Sequence, residues 1–210
     1  MNIPDHEIHI YSIDSNKFHT DTESLQHILS PDEISKAIRF RFEKDKLNYI
    51  LFRSSLRKIL SLYLNTDPAA ISISYSEKGK PFISNSSIKF NLTHSRGLAV
   101  YAFNAGNEIG IDTEFKKEIP DAFEIAKRYF SIEENQEFAQ LNKDELAISF
   151  FNCWTRKEAF LKTFGEGLSF PLADFFVSFR PGSKPQILWI KDREQTINDW
   201  SLYEIHIAPD

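Results

Sequence analysis

A single cysteine, Cys153, stands in the 210-residue chain, so neither a disulfide framework nor a cysteine-based zinc site is available to it. No run of about 18 apolar residues occurs, which excludes a membrane-spanning helix. Met1 to Ser12 lacks a basic stretch followed by an apolar block, so it reads as a strand with no signal peptide, and the expected location is the cytosol. Only seven residues are glycine, and none belongs to a Gly-x-x-x-x-Gly-Lys-Ser/Thr phosphate loop. An excess of positive charge is missing as well. The formal charge of −5 argues against nucleic acid as the main partner.

What is present is a large apolar fraction, 41% including 19 Phe, enough for one large or two small cores. Charge is unevenly spread. Lys36, Arg39, Arg41, Lys44, Lys46, Arg53, Arg57 and Lys58 face only Glu43 and Asp45, a net +6 that leaves −11 for the rest of the chain. Such a segment is either the solvated face of a helix or a local seat for a small polyanion.

Ile8, Ile10 and Ile13 suggest a first strand. Ser30-Pro31-Asp32-Glu33 predicts a helix start with a capping box, and the stripe Tyr49, Phe52, Leu56, Ile59, Tyr63 predicts a long helix over 43–64. Strands are expected near 71–74, 88–92, 98–103 and 109–114, broken by Gly79, Pro81 and Gly106. The second half runs in the same order. A helix is expected over 122–129, a capping box at Ser131 and Glu134, and a long helix over 144–163 stopped by Gly165 and Gly167. Strands are then expected at 175–179, 187–190 and 200–207. The order predicts an α+β fold of two similar halves, 1–108 and 109–210, in a pseudo-twofold arrangement. Each half is a mainly antiparallel sheet packed with helices, with an active-site cleft between them.

Three constellations could carry chemistry. In Gly110-Ile111-Asp112-Thr113-Glu114, a strand would point both carboxylates to one face, where a hard cation such as Mg2+ relieves their repulsion. Taken alone, the same residues read as a polar strand end. On the long second helix, Glu158 falls one turn after Trp154 and one before Lys162, in line with the apolar stripe. A metal or a basic partner would offset the cost of burying that charge. An exposed Glu158–Lys162 pair is the plainer alternative. In Asn91-Leu92-Thr93-His94-Ser95, His94 and two hydroxyls could hold phosphate oxygens, or His94 could be a structural hydrogen-bonding group. Lys80, in Gly79-Lys80-Pro81, is a further candidate cation.

Together and in this order, these motifs resemble one family. A Gly-Ile-Asp-x-Glu strand is followed 40 residues later by Trp-x-x-Lys-Glu-Ala-x-x-Lys running into Gly-x-Gly-Leu. This is similar to the 4′-phosphopantetheinyl transferases, the surfactin-synthetase-activating type above all, from Ser30 to about Phe179. The resemblance implies an enzyme that moves the 4′-phosphopantetheine arm of coenzyme A onto a serine of an apo acyl or peptidyl carrier protein. It implies Mg2+ held by Asp112, Glu114 and Glu158, with Lys162 on the pyrophosphate and Glu158 as candidate base for the serine. Lys36, Lys80, Thr93 and His94 would contact coenzyme A phosphates, and the stretch 115–130 would face the carrier protein. The implied assembly is a pseudodimeric monomer without nucleic-acid or membrane partners.

Three positions and the chain's end depart from the family pattern. Thr93 replaces a serine but keeps the hydroxyl, and Thr113 replaces an aliphatic residue. Asn48 stands where relatives often carry an arginine for the nucleotide 3′-phosphate, with Arg53 or Lys44 to stand in. The chain also ends soon after Ile205-His206-Ile207, where relatives continue into another apolar strand. The alternative is an inactive coenzyme A- or carrier-binding protein, which would have lost a metal carboxylate; all three are present.

Overall fold

The computed structural model describes residues 1–17, 23–164, 170–192 and 194–207. The predicted helix stop at Gly165 and Gly167 lies outside them. The chain divides into two compact units. The first comprises Met1–Ser76 and Lys80–Ile109, the second Glu77–Gly79 and Gly110–Asp210.

In the first unit, β1 (His9–Asp14), β5 (Leu98–Ala105) and β4 (Ile88–Ser95) form an antiparallel sheet in the order β1-β5-β4. A separate two-stranded ribbon pairs β2 (Ser74–Tyr75) with β3 (Pro81–Phe82). Three helices complete the unit: α1 (Glu23–Gln26), α2 (Pro31–Ile38) and α3 (Glu43–Leu64). Period two along the strands puts Phe90 and Leu92 on one face with Tyr101 and Phe103, and α3 contributes Ile50, Phe52, Leu56 and Leu60 to the same core. The Tyr101 hydroxyl donates to the Phe52 carbonyl at 2.8 Å, tying sheet to helix. The capping box is present: Glu33 N–H donates to Ser30 Oγ, and Ser30 N–H to Glu33 Oε2.

That glutamate does more than cap. Its carboxylate is buried and accepts from Arg53 Nε and Arg57 Nε, both at 2.6 Å. Arg57 Nη1 then donates to the carbonyls of Pro68 and Ile71, which flank a 3-10 turn at Pro68–Ala70. Arg53 and Arg57 are therefore largely buried groups held by Glu33, not part of a solvated helix face, and Arg57 also borders an open cavity of this unit.

In the second unit, α4 (Ala122–Tyr129), α5 (Ile132–Phe138) and α6 (Lys143–Phe164) pack with the antiparallel ribbon β6 (Phe175–Val177) and β7 (Ile187–Ile190). Its core is largely aromatic, built on Phe130, Phe138, Phe150, Phe160, Phe175 and Phe179. Ring centroids of Phe130 and Phe138, and of Phe160 and Phe164, lie 5.8 and 5.0 Å apart in edge-on contacts. Ser131 and Glu134 form the second predicted capping box. Here too the capping carboxylate is buried against a base of the long helix, Lys157 Nζ at 2.7 Å. Lys157 also donates to the carbonyls of Leu172 and Phe175, which again flank a 3-10 turn, Leu172–Asp174.

Three expected strands differ: among the described residues, 109–114 and 200–207 belong to no sheet, and of the strand expected over 71–74 only Ser74 lies in one. Alternation of apolar and polar residues marks an extended chain half in contact with a core, and it is blind to whether a partner strand lies alongside. At 109–114 the backbone packs against a helix instead. A Cβ built on Gly110 would lie 2.0 Å from the Ala159 carbonyl oxygen and 2.8 Å from the Thr163 nitrogen.

Candidate active site

The contact at Gly110 organises the acidic constellation. Because nothing separates its backbone from α6 at Ala159 and Thr163, the next residues run beside the helix turn that carries Glu158 and Lys162. Asp112, two residues on, accepts a hydrogen bond from Lys162 Nζ at 2.6 Å. The Asp112 side chain is 7% exposed and that of Lys162 31%, so the carboxylate is enclosed while the ammonium reaches solvent. The expected local Glu158–Lys162 partnership thus yields to a contact 50 residues apart in sequence.

Glu158 is half-buried, and burial is the main reason its carboxyl is pushed above the ordinary glutamate range. The neighbouring Asp112 charge pushes the same way and Glu114 adds to it, while Lys162 opposes both. Asp112, Glu114, Glu158 and Lys162 therefore share one electrostatic neighbourhood within the second unit. Glu114 is the exposed member. The donor set is all oxygen, which suits a hard cation of the Mg2+ kind and not zinc. Among the described residues, no three His, Cys, Asp or Glu side chains are gathered closely enough to ligate one ion. The carboxylates are neighbours with the right chemistry, and the Lys162 ammonium supplies positive charge at Asp112.

The basic and hydroxyl candidates belong to the first unit. Lys80 follows the Gly79 turn and donates to Glu108 Oε2 at 2.7 Å and to the Ile109 carbonyl at 3.2 Å. Thr93 and His94 are consecutive on β4 and so point to opposite faces: Thr93 is buried, His94 exposed. The His94 ring stacks on Phe52 with centroids 5.9 Å apart. Lys36 is exposed on α2, its Nζ 5.5 Å from the centre of the Tyr49 ring. It lines an open cavity of about 490 Å3, to which Tyr49, Tyr75 and Ser72 also contribute.

Of the stretch expected to meet a carrier protein, Phe115 and Phe123 are exposed, whereas Phe130, Ala122 and Ala126 are core residues. Ile132, just beyond that stretch, is 75% exposed. Lys116, Lys117, Lys127 and Arg128 are exposed around these positions. Cys153 is fully buried and burial pushes its thiol up, so it has no place in the chemistry.

Two residues with a part in shaping the site stand in the motifs, but the sequence does not show what they do. Lys157, next to Glu158, is 1% exposed and fixes α6 against the ribbon. Nothing in a Trp-x-x-Lys-Glu pattern distinguishes a buried lysine from a solvated one. Gly110 was legible as part of a motif, but the reason it must be glycine lies 49 residues away at Ala159.

Comparison with known proteins identifies the family. Residues 108–206 match the model of the 4'-phosphopantetheinyl transferase superfamily. Residues 16–105 match that of the 4'-phosphopantetheinyl transferase N-terminal domain. The chain is 32% identical over 203 residues to the 4'-phosphopantetheinyl transferase HetI of Nostoc sp. strain PCC 7120, covering 95% of this chain and 82% of the relative. It is 35% identical over 158 residues to the 4'-phosphopantetheinyl transferase Sfp of Bacillus subtilis strain 168, covering 75% and 69%. A mouse L-aminoadipate-semialdehyde dehydrogenase-phosphopantetheinyl transferase is 30% identical over 156 residues, 69% of this chain and 50% of that one. With relatives matched over most of their length and family models on both halves, this chain belongs to the 4′-phosphopantetheinyl transferase superfamily.

Proposed function

We propose that this chain carries out its family's transfer, moving 4′-phosphopantetheine from coenzyme A to a carrier-protein serine, with Asp112, Glu114 and Glu158 as the carboxylates for Mg2+. The observation that carries this reading is the shared electrostatics of those three carboxylates with Lys162. Mg2+ bound there would neutralise charge on the pyrophosphate of coenzyme A. The serine oxygen forms the new bond to the β-phosphorus, and the bond to adenosine 3′,5′-bisphosphate breaks. Phosphoryl-type transfers of this kind depend on positioning and charge neutralisation more than on covalent participation by the protein.

Lys162 has the length and exposure to turn from Asp112 to the leaving phosphate, whose charge its ammonium would stabilise. Glu158, one helical turn before Lys162, is the assigned acceptor of the serine proton. Lys80, Thr93, His94 and Lys36 are assigned to the phosphates of coenzyme A. The cavity lined by Lys36, Tyr49 and Tyr75 offers ring faces and a cation to the nucleotide end of that substrate. Phe115, Phe123 and Ile132, with the exposed Lys116, Lys117, Lys127 and Arg128 near them in sequence, are proposed as the face for an acyl or peptidyl carrier protein. A cytosolic, monomeric enzyme goes with these partners.

Intact-mass spectrometry tests the reaction. An apo carrier protein incubated with the enzyme, coenzyme A and Mg2+ is expected to gain the mass of phosphopantetheine, and to gain nothing with EDTA or with Glu158→Gln. Calorimetric titration of Mg2+ tests the metal site separately, with binding expected in the parent protein and lost in Asp112→Asn. No mass gain across several carriers, from a protein that still binds coenzyme A, would leave the inactive binder as the correct reading.

A further inference from the structure

Lys80 does not wait free in solution for a phosphate. Its side chain is 12% exposed, and its Nζ donates both to Glu108 Oε2 at 2.7 Å and to the Ile109 carbonyl at 3.2 Å. The other oxygen of Glu108, Oε1, pairs with Lys89 Nζ on β4 at 2.9 Å. One carboxylate thus spans two ammonium groups, and the trio keeps a net charge of +1. Burial works to raise the Glu108 carboxyl, but the hydrogen bonds and charges of Lys80 and Lys89 prevail and hold it below the usual range, so it is ionised at neutral pH.

The loop that presents Glu108 is itself held. Asn107 N–H donates to Asn104 Oδ1 at 3.0 Å, Asn104 Nδ2 donates to the Glu7 carbonyl at 2.9 Å, and Gly106 N–H donates to the Ser87 carbonyl at 2.8 Å. The Lys80 backbone is fixed from the other side, because Ser76 N–H donates to its carbonyl and its own N–H donates to Ser76 Oγ. Backbone and ammonium are both tied before any ligand arrives.

From this geometry we infer that Glu108 is a positioning residue for substrate binding, holding the Lys80 ammonium in one place beside Ile109, at the threshold of the acidic segment. The inference rests on the assignment of Lys80 to a coenzyme A phosphate. A lysine stem carries about 2 kcal/mol of rotamer entropy. A lysine ordered in advance surrenders less of that freedom when its ligand binds. Lys80 shares its carboxylate with Lys89, so the pair it makes with Glu108 is not an exclusive one.

The sign of the effect separates this role from plain electrostatics. Removing a negative charge near a polyanion site should by itself tighten binding. Loss of a positioning group should loosen it. Coenzyme A binding would be measured by calorimetry, with KM and kcat measured alongside, for the parent, Glu108→Gln, Lys80→Ala and the double variant. Glu108→Gln is expected to raise Kd and KM for coenzyme A roughly three- to tenfold, as for loss of one charge-assisted hydrogen bond, with kcat little changed. In the Lys80→Ala background the same substitution should add nothing, because the two act through one ammonium. Tighter or unchanged binding in Glu108→Gln, while Lys80→Ala weakens it, overturns the positioning role alone. Unchanged binding in Lys80→Ala overturns the Lys80 assignment and the inference with it. A lowered Tm with unchanged Kd would reduce Glu108 to a structural ion pair.

Discussion

Lys157→Met tests the account of the second unit at its most interior charge. The substitution keeps an unbranched side chain of similar length and removes one ammonium that serves three acceptors: Glu134 Oε2 and the carbonyls of Leu172 and Phe175. Breaking a buried pair by deleting one partner costs about 3–5 kcal/mol, and each abandoned buried carbonyl adds about 1–3 kcal/mol where nothing replaces the bond. Glu134 can limit the first cost by taking up a proton. Its carboxyl already stands above the ordinary range, because burial outweighs the opposing Lys157 charge and its backbone hydrogen bonds. A carboxyl whose pKa folding raises makes the folded state bind its proton more tightly, so stability is lost as pH rises through that pKa. Without Lys157 the rise is larger, so the variant's deficit should grow as pH rises above the ordinary glutamate range. The three tryptophans, Trp154, Trp189 and Trp200, all lie in this unit, so fluorescence in a urea titration reports its unfolding selectively. A loss of about 4 kcal/mol at a slope of about 2 kcal/mol/M moves the midpoint down by about 2 M. Pairing the change with Glu134→Leu should recover part of the loss, since an apolar pair leaves no charge unpaired. A single variant within 1 kcal/mol of the parent would refute the reasoning.

Gly110→Ala should be among the costliest conservative changes in the chain. Its methyl would collide with backbone atoms of α6, which cannot turn aside as a side chain can. A loss of about 3 kcal/mol or more and reduced Mg2+ affinity are expected, read by denaturation and by calorimetry. Glu33→Gln should destabilise the first unit and flatten its acid limb. Although burial pushes the Glu33 carboxyl up, Arg57, the Ser30 N–H and Arg53 together pull it below the ordinary range. Such a group contributes stability above the unfolded pKa that is lost as pH falls through the folded one. The parent should therefore weaken below about pH 4.3, and the variant, already weaker, should do so less steeply in circular dichroism titrations.

How much of this was legible depended on whether the signal was local. The long helix over 43–64, the helix over 122–129 and the strand over 187–190 form at the predicted bounds, because apolar period and capping residues act within a few positions of themselves. Both capping boxes were readable for the same reason. The acidic segment is legible as chemistry, but its close packing on α6 at Ala159 and Thr163 is not, because that contact is made far along the chain. Burial of Arg53, Arg57 and Lys157 was invisible. A charged residue on an apolar face looks like the edge of a stripe until the fold brings an acid and two carbonyls to it. The site followed the same rule. Asp112 and Lys162 were each nominated on local grounds, while their 2.6 Å contact exists only through the fold.

Those invisible charges also carry a likeness between the halves that no sequence repeat displays. Glu33 meets Arg57 24 positions later, and Glu134 meets Lys157 23 positions later. Each acid closes a capping box on a short helix, and each base sits on a 22-residue helix. Each base then satisfies two carbonyls three residues apart around a 3-10 turn, Pro68 and Ile71 in one unit, Leu172 and Phe175 in the other. Arginine fills the position once and lysine once, so the requirement is a cation with three donors to spend, not a guanidinium plane. It follows that Arg57→Lys should be tolerated far better than Arg57→Met. The lysine can serve Glu33, Pro68 and Ile71 as Lys157 serves its own three partners, and a loss under about 1.5 kcal/mol is expected against about 3–5 kcal/mol for methionine. Helix circular dichroism during denaturant titration reads both variants. Equal losses would mean that the fork geometry of Arg57 is indispensable and that the two clusters resemble each other only in outline.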